Sequence, residues 1–366
     1  LDPDVVDRRP HHEAERVAQR LRRGPRLRHR LDSEVRPLGH RLSFAVLVFQ
    51  FSAIPCRLVF ADEANGAGDE GAVGNAVQFA NGVVDVLVEN EAEAVVVAKH
   101  YLSMFQGRVT HWSAPDALAL RQVVPENRLR VYDTRKAIEG IADVGSVLML
   151  RGGFGAGIHT ALARVEGQPV GIMANNPYHL GGAIDADAAD KATRFMQLCD
   201  AHGLPIISLI DTPGFMVGPE IEAQAQVRHV SRMFLAAAKL RVALLAVTLR
   251  KGYGLGAMAM AGGGFRSANF TISWPTGEFG PMGLEGAVRL GFKKELEAVP
   301  DGQERKALFD KLVAQSYERG HAINTAAAVE IDAVIDPAET RKWIAQGIAS
   351  ADVRSRRARQ SFVDAW

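Results

Sequence analysis

Three glycine clusters, each just beyond a short apolar run, constrain this chain more than any other feature. Gly181-Gly182 follows Val170–Ala174, Gly214 and Gly218 follow Ile206–Asp211, and Gly254 and Gly256 follow Val242–Leu249. Continuous apolar runs of strand length are expected where a strand is covered on both faces. Between them lie stretches of helical spacing. Asp187–His202 carries Ala188, Ala192, Phe195 and Cys199 on one stripe and is closed by Gly203-Leu204-Pro205; a second helix is expected over Ala223–Leu240. The repeated order of helix, buried strand and glycine turn predicts an α/β domain with short crossover units.

Around this centre, Ile158–Val165 and Val170–Ala174, separated by Glu166-Gly167-Gln168-Pro169, predict a hairpin. A helix is expected over Thr134–Ile141 and a strand over Phe270–Trp274. Helices over Leu284–Leu290 and Gln303–Arg319, a strand at AVIDP and a last helix should follow. Upstream, Val83, Val84, Val86 and Val88 predict a short strand. Ala94, Val97, Ala98, Tyr101 and Phe105 share one helical face, and residues 107–130, with Pro115 and Pro125, read as a linker.

The first 60 residues have a different character. Residues 1–41 hold eleven arginines and four histidines but no lysine, phenylalanine, tryptophan or tyrosine. Arg20–Arg30 could serve as a polyanion-binding arm, but nothing interleaves to make a packed face, so a disordered extension is the preferred expectation. Leu42–Cys56 is apolar but shorter than the roughly 20 residues of a membrane-spanning helix. It has the layout of a secretory signal, yet it begins some forty residues in. The chain opens on Leu1, which reads as a fragment. Lysine plus arginine (43) balances aspartate plus glutamate (42), so neither nucleic acid nor a membrane is an expected partner. Cys56 and Cys199 form no disulfide framework or zinc spacing; Cys199 should be a buried, inert thiol, and a cytoplasmic location is expected.

Glycine lets a backbone approach a ligand closely, and ligands of open α/β sheets lie outside the carboxyl ends of the strands. Exposed N–H pairs there can stabilise a developing oxyanion. The plainer alternative is that each cluster only makes a tight turn. Other chemistries lack their signatures: no Gly-Lys-Ser/Thr follows GYGLGA, no Gly-x-Ser-x-Gly elbow occurs in the main domain, and no ligand spacing calls for a metal. His159, His179 and His229 stand alone and are expected to be structural.

ANNPYHLGGAIDADAADKATRFMQLCDAHGLPIISLIDTPGFMVGP (Ala174–Pro219) closely resembles the carboxyltransferase family of biotin-dependent acyl-CoA carboxylases, which includes the propionyl-, acetyl- and methylcrotonyl-CoA enzymes. YDTRKAIEGIADVGS, VRHVSRMFLAAA, TLRKGYGLGAMAMAG and ISWPTGEFGPMGLEGAV match in the same order, from about Val131 to Ser350. The resemblance implies a crotonase-like (ClpP/crotonase) β-β-α superhelix, with 131–366 as the C-terminal carboxyltransferase domain and 61–130 as the end of an N-terminal domain plus linker. It also implies that carboxybiotin on a carrier is the carboxyl donor, that an acyl-CoA of propionyl or acetyl type is the acceptor, and that two backbone oxyanion holes do the work at a dimer interface.

By motif, the amides of Leu255, Gly256 and Ala257 are candidates for the biotin-side hole, with Leu255 and Gly256 favoured. Tyr253 and Gly254 adjoin them, Gly181 and Gly182 shape neighbouring backbone, and the turn Asp211-Thr212-Pro213-Gly214-Phe215 lines the biotin channel. A β-branched residue at 256 should abolish that chemistry without disturbing the fold. Implied partners are a biotin carboxyl carrier or biotin carboxylase component, the N-terminal carboxyltransferase half, and further copies of the chain. The rivals are a decarboxylase of the same family, a crotonase-type hydratase or isomerase, and a non-catalytic assembly subunit. A hydratase would need a carboxylate near the glycine turns, where Glu220 is the nearest in sequence.

Overall fold

The computed structural model describes residues 75–351 together with the backbone of two short strands upstream, β1 (Val46–Val48) and β2 (Arg57–Phe60). The arginine-rich stretch, Cys56 and residues 352–366 lie outside the described residues. β1 pairs antiparallel with β2, and β2 pairs parallel with β3 (Val86–Val88). Both strands fall within the first 60 residues, the stretch read from sequence as a leader. Val83 and Val84 do not join β3, because their N–H groups donate at 3.1 Å to the Gln78 carbonyl of α1 (Asn75–Ala80). Helix α2 (Glu91–Ser103) follows, its first turn capped by the Asn90 side chain.

The main sheet forms around α3 (Arg135–Ile141), β4 (Leu148–Leu150), β5 (Ile158–Val165), β6 (Gln168–Asn175), α4 (Ala186–His202) and β7 (Ile206–Thr212). It continues with α5 (Pro219–Ala223), α6 (Gln226–Ala237), β8 (Leu244–Tyr253), α7 (Gly254–Met260), β9 (Phe270–Ser273) and β10 (Glu278–Gly280). The peripheral helices α8 (Leu284–Gly291), α9 (Lys293–Ala298), α10 (Gln303–Gly320) and α11 (Ala322–Ala327) precede β11 (Ala333–Val334) and α12 (Thr340–Ser350). The strand order is β11-β9-β8-β7-β6-β5-β4, with β10 attached to the end of β8. β4 pairs antiparallel with β5 and β5 with β6, and every pairing from β6–β7 through β9–β11 is parallel.

The hairpin turn is tighter than expected: Gln168 and Pro169 belong to β6, leaving Glu166-Gly167 as a two-residue loop. The helix expected over Ala223–Leu240 is α6, Gln226–Ala237, and the left-handed backbone of Ala225 separates it from the short α5.

The apolar runs are buried on both sides, and their alternation divides the core. Ile206, Ile210, Leu244 and Ala246 face one cluster, covered by α2, α4, α6 and α7. Ile207, Leu209, Leu245 and Val247 face the other, covered by α3, the short helix Ala117–Gln122 and α12. Gly171 of β6 brings the sheet so close to α4 that a Cβ there would lie 2.3 Å from the Cys199 sulfur. Burial holds the Cys199 thiol well above its ordinary pKa.

The stretch read as a linker is packed rather than slack. Leu120 and Val124 are buried in the second cluster, and Tyr101 and Met104 of the preceding segment are buried in the first. A buried ion pair joins the two parts: Arg151 Nε meets Asp85 Oδ1 at 3.0 Å, and Arg151 N donates to the Asp85 carbonyl at 2.7 Å. Breaking a buried pair strands a charge, at a cost of about 3–5 kcal/mol. Arg151→Leu should lower stability by that order, read as a shifted urea midpoint.

His159 on β5 is held neutral to about pH 4 by burial and by Lys191 and Arg135, with Asp133 opposing. The unfolded chain takes up this proton near the ordinary value of 6.5, so the folded state loses ground as pH falls from about 6.5 to about 4. His159→Gln should flatten the pH dependence of the urea midpoint across that window.

Candidate functional site

The carboxyl end of the sheet draws the three glycine clusters together. β6 leads through Asn176–Leu180 into Gly181-Gly182, β7 into Pro213-Gly214-Phe215, and β8 directly into α7. The first two loops are stitched by backbone: Ile184 N donates to Gly214 O at 3.0 Å, and Met216 N to Ile184 O at 2.9 Å. Gly182, at φ +91°, lies so close to β7 that a Cβ would stand 2.3 Å from Asp211 O. A Cβ on Gly256, in the first turn of α7, would lie 2.7 Å from the Gly214 carbonyl carbon and 3.0 Å from Phe215 N. Backbone touches backbone here, and no other residue type leaves room for it. Phe215 packs edge-on against Phe234 of α6, with ring centroids 6.2 Å apart.

Charged side chains brace the same ends. Asp211 lies on β7, within the strand expected over Ile206–Asp211, at a register shift against β8, and is fully buried. Its Oδ1 accepts from Lys251 N at 3.1 Å and faces Lys251 Nζ at 3.5 Å, while Oδ2 faces Arg250 Nη2 at 3.3 Å. Asp211 N donates to Asn175 Oδ1 at 3.1 Å. Lys251 Nζ also donates to the Gly181 carbonyl, so one side chain links all three strand ends. Arg250 stacks over the Tyr132 ring at 4.8 Å and donates to Arg130 O at 2.8 Å. Burial first, and then Asp211, holds the Tyr132 phenol protonated well above its ordinary pKa.

The segment after Leu249 is not a loop. Lys251–Tyr253 gains a second parallel partner in β10, which prolongs β8, and α7 starts at once at Gly254. Leu255 and Gly256 therefore occupy a first helical turn, where N–H groups precede the first i→i−4 bond. No side chain caps this turn. Ala257 is the first residue able to close such a bond, onto Tyr253 O, which sets its amide apart from the other two candidates. Leu255 is 63% exposed, whereas Gly256 and Ala257 are buried.

Tyr253 is buried, and its hydroxyl donates to Glu278 Oε2 at 2.8 Å. Burial and Glu278 keep this phenol protonated far above its ordinary range. Glu278, Lys251 and Arg250 escape motif reasoning at the level of roles, because each acts through a contact made by sheet pairing. Glu220 is exposed at the start of α5.

Two of the three histidines are tied into the scaffold, and His159 is half-buried on β5. His179 Nε2 lies 2.8 Å from Asp185, whose other oxygen caps α4, and His229 Nδ1 lies 2.7 Å from Asp190, which also pairs with Arg232. Among the described residues, a cavity of about 480 Å³ is lined by residues including Arg130, Tyr132, Lys136 and Tyr178, and another of about 360 Å³ lies beside Arg266. Neither is lined by the converging glycines.

Comparison with known proteins gives this geometry a context. The family described as "Carboxyl transferase domain" matches residues 65–362. The 12S subunit of methylmalonyl-CoA carboxyltransferase from Propionibacterium freudenreichii subsp. shermanii is 34% identical over 303 residues, 79% of this chain and 55% of its own length. The carboxyltransferase subunit of propionyl-CoA carboxylase from Haloferax mediterranei is 32% identical over 271 residues, covering 71% of this chain and 52% of that one. The solved structure of a single-chain, multi-domain long-chain acyl-CoA carboxylase superposes with a TM-score of 0.70 at 59% identity, over 74% of this chain and 27% of that chain. The chain thus spans about half the length of the curated relatives it matches.

The Gly214–Gly256 contact changes what a substitution at 256 should do. Gly256→Ala should force the two loops apart, lowering stability by roughly 1–3 kcal/mol and loosening amide exchange at Ile184 and Met216. Gly283→Ala, where a Cβ would meet nothing within 4 Å, is the control and should leave both unchanged.

Proposed function

Because the chain belongs to the carboxyl transferase domain family, we propose that it serves as the C-terminal part of an acyl-CoA carboxyltransferase, moving a carboxyl group from carboxybiotin to the α carbon of an acyl-CoA. Its fold is the crotonase-like α/β arrangement of that family. The observation that carries the proposal is the uncapped first turn of α7, pressed against Gly214 and offering the amides of Leu255 and Gly256.

Carboxybiotin, held on a separate carrier, supplies the carboxyl group. Its ureido oxygen needs close N–H donors, and the Leu255 and Gly256 amides of this uncapped turn, beside the exposed Leu255 side chain, fit that need. Asp211, Lys251 and the Gly182 contact hold the neighbouring loops, so the donors are oriented before a ligand arrives. Side-chain acid–base work has little support here. Asp211 is enclosed by two cations, Glu278 accepts from Tyr253, and Glu220 lies out in solvent. This weighs against a hydratase.

In this proposal residues 131–366 form the C-terminal domain and 61–130 the end of the N-terminal one. The rest of that N-terminal half, a biotin carrier or carboxylase component, and a second copy of the chain complete the site, in the cytoplasm. A short acyl-CoA of propionyl or acetyl type is the first choice of substrate. A long-chain acyl-CoA is the second reading, favoured by the 59% identity to the long-chain carboxylase.

The test is biotin-dependent decarboxylation of malonyl-CoA and carboxylation of propionyl- and palmitoyl-CoA with a carboxylated carrier, by the chain alone and with an added N-terminal half. Activity on complementation is the expected outcome, and the preferred acyl chain decides between the two substrates. A folded chain silent in both settings would leave the non-catalytic assembly subunit as the better account.

A further inference from the structure

Resting on that reading, we propose that Glu278 is a positioning residue for the amide turn at the start of α7, acting through the Tyr253 hydroxyl. Tyr253 is the last residue of β8 and immediately precedes Gly254, so its backbone angles aim the Leu255 and Gly256 N–H groups. With its ring buried and its phenol protonated far above the ordinary range, it is a permanent donor to Glu278 Oε2 at 2.8 Å.

Glu278 is itself anchored on two sides. Its backbone pairs in register with Lys251 on β8 and forms an antiparallel bridge to His321, which caps α11. The same strand controls the next residue. Gly280 pairs with Tyr253, and Pro281 O lies 2.6 Å from where a Cβ on Gly254 would stand, with Gly254 at φ +57°. One segment, 278–281, therefore grips the turn twice, by a side-chain hydrogen bond to residue 253 and by backbone packing on residue 254. An outer layer backs it: Tyr317 of α10 donates to Glu285 at 2.9 Å, and Arg128 lies 3.6 Å from the centre of the Tyr317 ring. A carboxylate used as catalytic base would be left free to take a proton, and Glu278 is only partly buried. This one accepts from a phenol that does not release its own.

The experiment compares Tyr253→Phe, Glu278→Ala and Glu278→Gln in the complemented enzyme and in the chain alone. Amide exchange across α7, read by mass spectrometry, needs no activity. Kinetic constants for biotin-dependent malonyl-CoA decarboxylation supply the second readout. Tyr253→Phe and Glu278→Ala should each speed exchange across α7 by about tenfold and cut kcat by about tenfold, with KM for the acyl-CoA unchanged. Glu278→Gln keeps an acceptor and should restore both to within about threefold of wild type. Unchanged exchange and kcat in Tyr253→Phe overturn the proposal, as does a Glu278→Gln variant no better than Glu278→Ala. If the wild type is inactive throughout, the carboxyltransfer reading fails, and the exchange data alone decide the positioning role.

Discussion

A carboxylate with no exposure to solvent, Asp211, holds the carboxyl end of the sheet in its shape. It sits where β7 slips register against β8 and is met by Arg250 and by both the backbone and the side chain of Lys251, while the backbone N–H of Asp211 donates to Asn175. Removing such a charge from water is costly, and only close partners offset the cost. The two cations lie next to each other on β8, and in an extended strand successive side chains point to opposite faces. That both reach one carboxylate depends on the irregular pairing at this point. Lys251 then extends the link to Gly181, so the loops after β6, β7 and β8 share one electrostatic centre.

Around that centre the functional surface is backbone. The loops after β6 and β7 are hydrogen-bonded to each other, and α7 rests on Gly214 without an intervening side chain. Such a surface has few soft torsions, because the groups it presents are peptide amides fixed by their neighbours. This suits stabilisation of a developing negative charge, which gains most from donors that need not reorganise.

Much of this could be read from the sequence. Strand-length apolar runs and the helical stripe of 187–202 reflect burial on both faces of a sheet, and burial leaves a local pattern. The glycines after them mark places where backbone must pass close to backbone. Their mutual contact, though, spans 42 residues between Gly214 and Gly256, and no local pattern encodes which loop meets which. The same holds for Tyr253 and Glu278, joined only because β10 attaches to the end of β8. Short elements such as β4 and β10 show too few residues for a period of two to emerge. Residues 107–130 read as a linker because their prolines and polar residues mask Leu120 and Val124, which bury themselves against α3 and the sheet.

The bare contact between Gly214 and Gly256 has a further consequence for how such a chain can vary through time. Position 256 cannot acquire a side chain unless the Gly214–Phe215 backbone retreats, and that retreat would also pull on Ile184 and Met216; Gly214 is bound instead by its backbone angle, φ +124°. Inheritance must therefore treat the two loops as a single character. A side chain at 256 means moving the loop after β7 in the same lineage, while the exposed side chain of Leu255 stays free to diversify.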